Sequence, residues 1–151
     1  MAATIRIQAE PFDAAAETAA LTRGRADIGA VVAFTGLCRD EGGRLETLEL
    51  EHYPGMAEAE IGRIAAQAQS RWPLLGLTIL HRFGRIRPGE EIVLVLTASA
   101  HRQAAFEAAS FLMDYLKTQA PFWKREHLKD GTAGAWIDAK EADDRAADRW
   151  R

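Results

Sequence analysis

The sequence predicts an α+β fold, a sandwich in which helices cover a mixed or antiparallel sheet. Three observations lead there. Alternating and β-branched apolar runs are interspersed with two long helical stripes. Strands follow one another across short polar loops as well as across helices, so pure βαβ repetition is missing and a doubly wound fold is disfavoured. The chain has 151 residues, 48% hydrophobic and 27% charged. A chain of that length buries roughly 68–70% of its unfolded surface, enough for one core without staples. Residues 1–151 are therefore expected to form a single domain.

Thr4–Gln8 (TIRIQ) alternates and reads as the first strand, and Asp13 can cap a short helix running to about Leu21. Residues 29–37 (GAVVAFTGL) are apolar and β-branched enough for a buried strand. Leu45–His52 (LETLELEH) alternates at period two across a polar loop, which predicts a hairpin with that strand. Pro54 and Gly55 break the chain. Residues 56–72 then place Met56, Ile61, Ile64, Ala65 and Ala68 on one helical face. Two further strands, 77–83 and Glu91–Ser99, are joined across Arg87-Pro88-Gly89-Glu90. Residues 101–116 give the strongest helix, with Ala105, Phe106, Ala109, Leu112, Met113 and Leu116 as its stripe and Pro121 as its stop. A short segment at 122–127, a strand near 135–138 and a final polar helix to about Arg149 complete the reading.

Composition narrows the function. A net charge of −3 speaks against a general nucleic-acid coat protein and leaves room for a local basic pocket. No apolar run approaches the roughly 20 residues of a membrane-spanning helix. The amino terminus lacks a basic segment followed by a long apolar stretch, so a cytoplasmic location is expected. Cys38 is the only cysteine, which excludes an internal disulfide and a cysteine-based zinc site. Beside Arg39 its thiol could be activated, but a small semi-buried core residue is the better reading. Dinucleotide, P-loop, zincin and hydrolase-elbow motifs are all absent from the sequence.

One imbalance is informative. Of the 19 basic residues, Lys117, Lys124, Lys129 and Lys140 are the lysines, and none precedes position 117. Where arginine is the routine surface cation, a lysine invites a reason: its amine can lose a proton and attack a carbonyl. Lys117 lies one helical turn after Met113, and Lys124 follows Pro121-Phe122-Trp123, a segment suited to wall a pocket. His101 and Arg102 open the long helix, where free N–H groups and the macrodipole favour a phosphate or carboxylate. Phe34 to Arg39 forms a third polar element end.

The segments FTGLCRDEGG, LELEHYPGMAEAEI, HRFGRIRPGEEIV, SAHRQAAFEA and MDYLKTQAPFWKRE resemble the large, catalytic subunit of molybdopterin synthase, in the same order, from about residue 4 to residue 150. The resemblance implies an α/β hammerhead fold with a small added β subdomain. It also implies a homodimer flanked by two small ubiquitin-like sulfur carriers, together a heterotetramer. The carrier's Gly-Gly tail, ending in a thiocarboxylate, enters a pocket of the large subunit. Two sulfurs pass to cyclic pyranopterin monophosphate, giving the dithiolene of molybdopterin, with no cofactor or metal required. Carried over by position, the essential lysines fall on Lys117 and Lys124, and the substrate-pocket groups on Phe34, Arg39, His101, Arg102 and Met113. Lys140 stands where the family places a basic residue of the other protomer, a lysine where an arginine is expected. By themselves the residues leave two other classes open: a non-catalytic docking module for a ubiquitin-like partner, and a Schiff-base enzyme with a desolvated lysine.

Overall fold

The computed structural model describes residues 3–40, 42–137 and 148–150. The chain forms β1 (Thr4–Gln8), α1 (Ala14–Thr22), β2 (Ala30–Leu37), β3 (Leu45–His52), α2 (Met56–Arg71), β4 (Leu74–Arg82), β5 (Gly84–Ile86), β6 (Glu91–Ser99), α3 (Arg102–Thr118) and β7 (Phe122–Leu128). Two sheets result. The larger has the order β1-β4-β6-β2 and the smaller β5-β3-β7. Among the described residues, β1 and β4 run parallel and the other strand pairs are antiparallel. The mixed α+β architecture expected from the sequence is present.

The larger sheet is covered on both faces. On one, Ile61, Ile64 and Ala68 of α2 and Phe111, Leu112 and Leu116 of α3 bury themselves against Leu77, Ile79, Val93 and Val95. On the other, Leu80, Leu94 and Leu96 meet Phe12, Ala14 and Leu21 around α1. Asp13 caps α1 as its sequence position predicts, its Oδ1 accepting from the Ala16 N–H at 3.1 Å. The smaller sheet has its own cluster of Cys38, Leu45, Leu50 and Ile86.

The expected hairpin between residues 29–37 and Leu45–His52 does not form. β2 pairs with β6, from Ala30 opposite Ser99 to Leu37 opposite Glu91. β3 pairs instead with β5 and β7 in the second sheet. The patterns explain the separation. β6 (EIVLVLTAS) is apolar on both faces and pairs with the uncharged β2, whereas β3 carries Glu49 and Glu51 on the face opposite Leu48 and Leu50, which suits a sheet wet on one side.

Three smaller expectations also change. Residues 122–127, expected only as a short segment, are a full strand; β5 of the same small sheet is three residues long, too short to show a period. Near 135–138 there is one isolated bridge, Ile137 to Lys124; residue 138 and most of the expected final helix lie outside the described residues. Phe106 and Met56 of the expected stripes are exposed, 61% and 54%, while Ala108, Phe111 and Tyr115 turn inward. The structure shows no helix among the described residues long and apolar enough to cross a membrane.

Candidate functional site

A cavity of about 710 Å³ is lined by residues of both sheets and of the end of α3, within the usual range for small-molecule sites of roughly 300–1,000 Å³. Its polar wall comes from three places. Arg39 lies just past the end of β2. Lys117 occupies the last turn of α3. Lys124 and Glu126 come from β7. The register explains the last pair. Lys124 stands opposite Leu50 and Glu126 opposite Leu48, so both share the face of β3 that points into the cavity. Leu48 and Leu50 make the apolar floor.

The α3-to-β7 joint, residues 119–121, brings the two lysines together. α3 ends at Gln119, whose N–H donates to the Tyr115 carbonyl at 2.7 Å, and Pro121 cannot continue the helix. The chain reverses and enters β7, so Lys117 at the helix end and Lys124 within the strand face the same space. The carbonyl end of α3 favours the Lys117 cation. Lys124 is half-buried, its backbone paired both ways with Ile137 at 2.9 and 2.8 Å. With three cations to one carboxylate, the wall suits an anionic guest.

A smaller cavity of about 60 Å³ adjoins the first, and Leu37, His81, Ile92, Leu116 and Lys117 line both. Met113, one turn before Lys117, lines the smaller one together with Gly36. A side chain at Gly36 would put its Cβ 2.7 Å from Val93 Cγ1, so only glycine lets the strand pass there. Phe34 lines neither cavity. It is 39% exposed on the edge strand, with its ring against the Gly36 position.

His101 and Arg102 stand elsewhere. His101 is the N-cap of α3, extended at φ −131° and ψ 150°, and both side chains are exposed with no acidic residue in the first turn. From Arg102 to Lys117 the helix rises roughly 22 Å at 1.5 Å per residue, so one copy of the chain does not bring these two groups to one small molecule. Lys140 lies outside the described residues. Cys38 is 3% exposed, its backbone tied to Glu90 and Gly89. Burial, above all, pushes its thiol up rather than down, so the core-residue reading fits.

Two residues of the wall escape a reading of the sequence: Glu126 and His81. Glu126 had a signal in the Phe122, Lys124, Glu126 alternation, visible once the segment is taken as a strand. His81 sits in an apolar run and reveals itself only when β4 is seen beside the end of α3. No cluster of three or more potential metal ligands occurs among the described residues.

Comparison with known proteins adds the following. The family model described as MoaE protein matches residues 7–119. A molybdopterin synthase catalytic subunit from Mesorhizobium japonicum is 72% identical over 151 residues, covering all of this chain and 95% of the relative. The solved structure of the molybdopterin biosynthesis MoaE protein from Burkholderia ambifaria MC40-6 superposes with a TM-score of 0.85 at 49% identity, covering 98% of this chain and 97% of that one. The crystal structure of molybdopterin synthase from Staphylococcus aureus gives a TM-score of 0.78 at 30% identity, with 87% and 94% covered.

Proposed function

The chain belongs to the MoaE protein family, and on that premise we propose how its cavity serves the family's reaction. The chain is a catalytic subunit of molybdopterin synthase, an enzyme of molybdenum cofactor biosynthesis. Its cavity receives the thiocarboxylated Gly-Gly tail of a small ubiquitin-like carrier, and two sulfurs pass from such tails to cyclic pyranopterin monophosphate. The observation that carries this reading is the convergence of Arg39, Lys117 and Lys124 on one cavity wall. Both reactants are anions, and the wall is cationic.

Lys117 and Lys124 supply compact positive charge or a proton beside the thiocarboxylate. Arg39 offers charge-assisted hydrogen bonds to the cyclic phosphate. His101 and Arg102 are read as a second phosphate-binding group, with Phe34 and Met113 as the apolar border between. A homodimer, flanked by two carriers as a heterotetramer, is the assembly in which the α3 start of one copy can serve the cavity of the other. Lys140 belongs to this reading as the basic residue contributed across the dimer. Residues 1–151 are read as one catalytic-subunit domain. A cytoplasmic location is part of the same reading, in keeping with the free Cys38.

The test mixes the protein with thiocarboxylated carrier and the pterin precursor and measures dithiolene formation. Product that disappears in Lys117→Ala while the carrier still binds supports catalysis. Full turnover in that variant, with altered carrier affinity, would make the chain a docking module instead. Equilibrium sedimentation checks the dimer: a monomer alone at micromolar concentration overturns that part.

A further inference from the structure

His81, near the end of β4, lines both cavities, and so does Lys117. The His81 Nδ1 lies 2.8 Å from the carbonyl oxygen of Arg82. A carbonyl oxygen can only accept, so Nδ1 carries the imidazole hydrogen and Nε2 keeps a bare lone pair. The ring is held in that orientation by its stack on Phe122, with centroids 3.8 Å apart and planes inclined by 14°. Turning it over would sacrifice the Arg82 bond. Burial, chiefly, and then the charges of Lys117 and His52 push the imidazole down to about 4, against the opposing effect of the Arg82 bond. His81 is therefore neutral near pH 7. The charged and titratable groups around it are Lys117 of α3, His52 of β3, Lys124 and Glu126 of β7, and Arg39 after β2.

We propose that His81 is a positioning residue for Lys117: the two side chains share the lining of both cavities without a hydrogen bond between them in this structure, and Lys117 Nζ, on turning toward the join of the two cavities, donates to His81 Nε2 and is held there. The inference rests on the reading of Lys117 as a group of the sulfur-transfer site. A lysine on the exposed last turn of a helix has a long flexible stem and a freely rotating head. Ordering it needs an acceptor. A carboxylate in that place would cancel its charge toward an incoming anion, whereas a neutral imidazole of fixed tautomer orders the amine and leaves the charge in force. The packing of His81 between Phe122 and the Arg82 carbonyl supplies such an acceptor.

Three variants separate this role from a merely structural one. His81→Asn can keep the donor to the Arg82 carbonyl but has nothing at the Nε2 position. His81→Gln can place its amide oxygen there. His81→Phe keeps a ring on Phe122 and loses both nitrogens. In the dithiolene assay, kcat is expected to fall about tenfold or more in the Asn and Phe variants, the loss of one hydrogen bond to a charged group, while carrier affinity stays unchanged and Gln restores most of the rate. Wild-type rates in both Asn and Phe, or an equal loss in Gln, would overturn the proposal. If the variants do not fold, nitrogen-15 NMR of the wild-type imidazole decides: hydrogen on Nδ1 is expected, and hydrogen on Nε2 overturns it. Lys117→Ala in the same assay keeps the two readings apart. Its full activity would fell the functional reading, whereas its inactivity beside an active His81→Asn would fell this inference alone.

Discussion

Replacing His81 by Phe should make the fold less sensitive to acid. In the folded chain the imidazole is pushed down to about 4, from an ordinary value of 6.5. Above pH 6.5 it is neutral in both folded and unfolded chains and has no effect on the pH dependence. Below 6.5 the unfolded chain takes up a proton that the folded chain refuses, so stability falls as the pH falls, until the folded imidazole also titrates near 4. Two pH units into that window, at about 1.4 kcal/mol per unit, the loss traceable to His81 is about 2–3 kcal/mol. Carboxylates titrate in the same range, but they do so in both proteins. The assay is urea unfolding of wild type and His81→Phe at pH 7.5 and 4.5. The wild type should lose about 2–3 kcal/mol more than the variant between the two pH values. Equal losses would show that the half-buried ring does not resist protonation, and the neutral acceptor assigned to it would go with that result.

The other expectations concern the site and the core. Lys117→Arg keeps a charge but replaces the compact amine with a planar fork, so if the amine itself contacts the carrier's terminal carbonyl, both this variant and Lys117→Ala should lose most turnover and still bind carrier; a large rescue by arginine in the dithiolene assay would reduce Lys117 to long-range charge. Arg102→Ala should weaken precursor binding by roughly 1.5–3 kcal/mol, about one to two decades, with carrier affinity unchanged in titration calorimetry; the reverse pattern would remove Arg102 from the anion site. Phe111, fully buried against Trp72, Tyr115 and Trp150, should cost about 3–5 kcal/mol on truncation to Ala, read from the urea midpoint. Cys38 should react with an aromatic disulfide reagent far more slowly in the folded chain than in urea, since burial both shields its thiol and disfavours the thiolate.

Much of the architecture is carried by local pattern. The stripes of α2 and α3, the Asp13 cap and the apolar run of β6 each impose their element regardless of distant partners. Pairing is another matter. The neighbours β2 and β3 are as close in sequence as a hairpin requires, yet they belong to different sheets because β2 is apolar throughout and β3 is apolar on one side only. Apolar composition overstates burial too: β2, expected as a buried strand, is an edge strand with no buried residue and with Phe34 and Leu37 exposed, and alternation is silent on which strand lies beside another. The site divides along the same line. Lys117 and Lys124 stand out against a lysine-poor chain, and the Pro121 break places them near each other. Glu126 follows once β7 is recognised. His81 does not, because inside the LTILHR run it resembles any core histidine; its meaning comes from an α3 terminus 36 residues further on. The distance between His101–Arg102 and the lysine cavity is likewise a property of helix length, which no motif records.

The joint at residues 119–121 connects parts of unequal permanence. α3 contributes Phe111, Leu112, Tyr115 and Leu116 to the large cluster between helices and sheet, whereas β7 is an outer strand of a three-stranded sheet whose cluster comprises four buried residues. Amide protons of α3 should therefore exchange only when the whole molecule opens, while those of β7 exchange through a smaller, cheaper opening of the second sheet. Lys117 rides on the first unit and Lys124 on the second. The distance between the two amines is thus set by a border across which the fold can yield, and a guest seated between them would be felt as slower exchange along β7, far more than along α3.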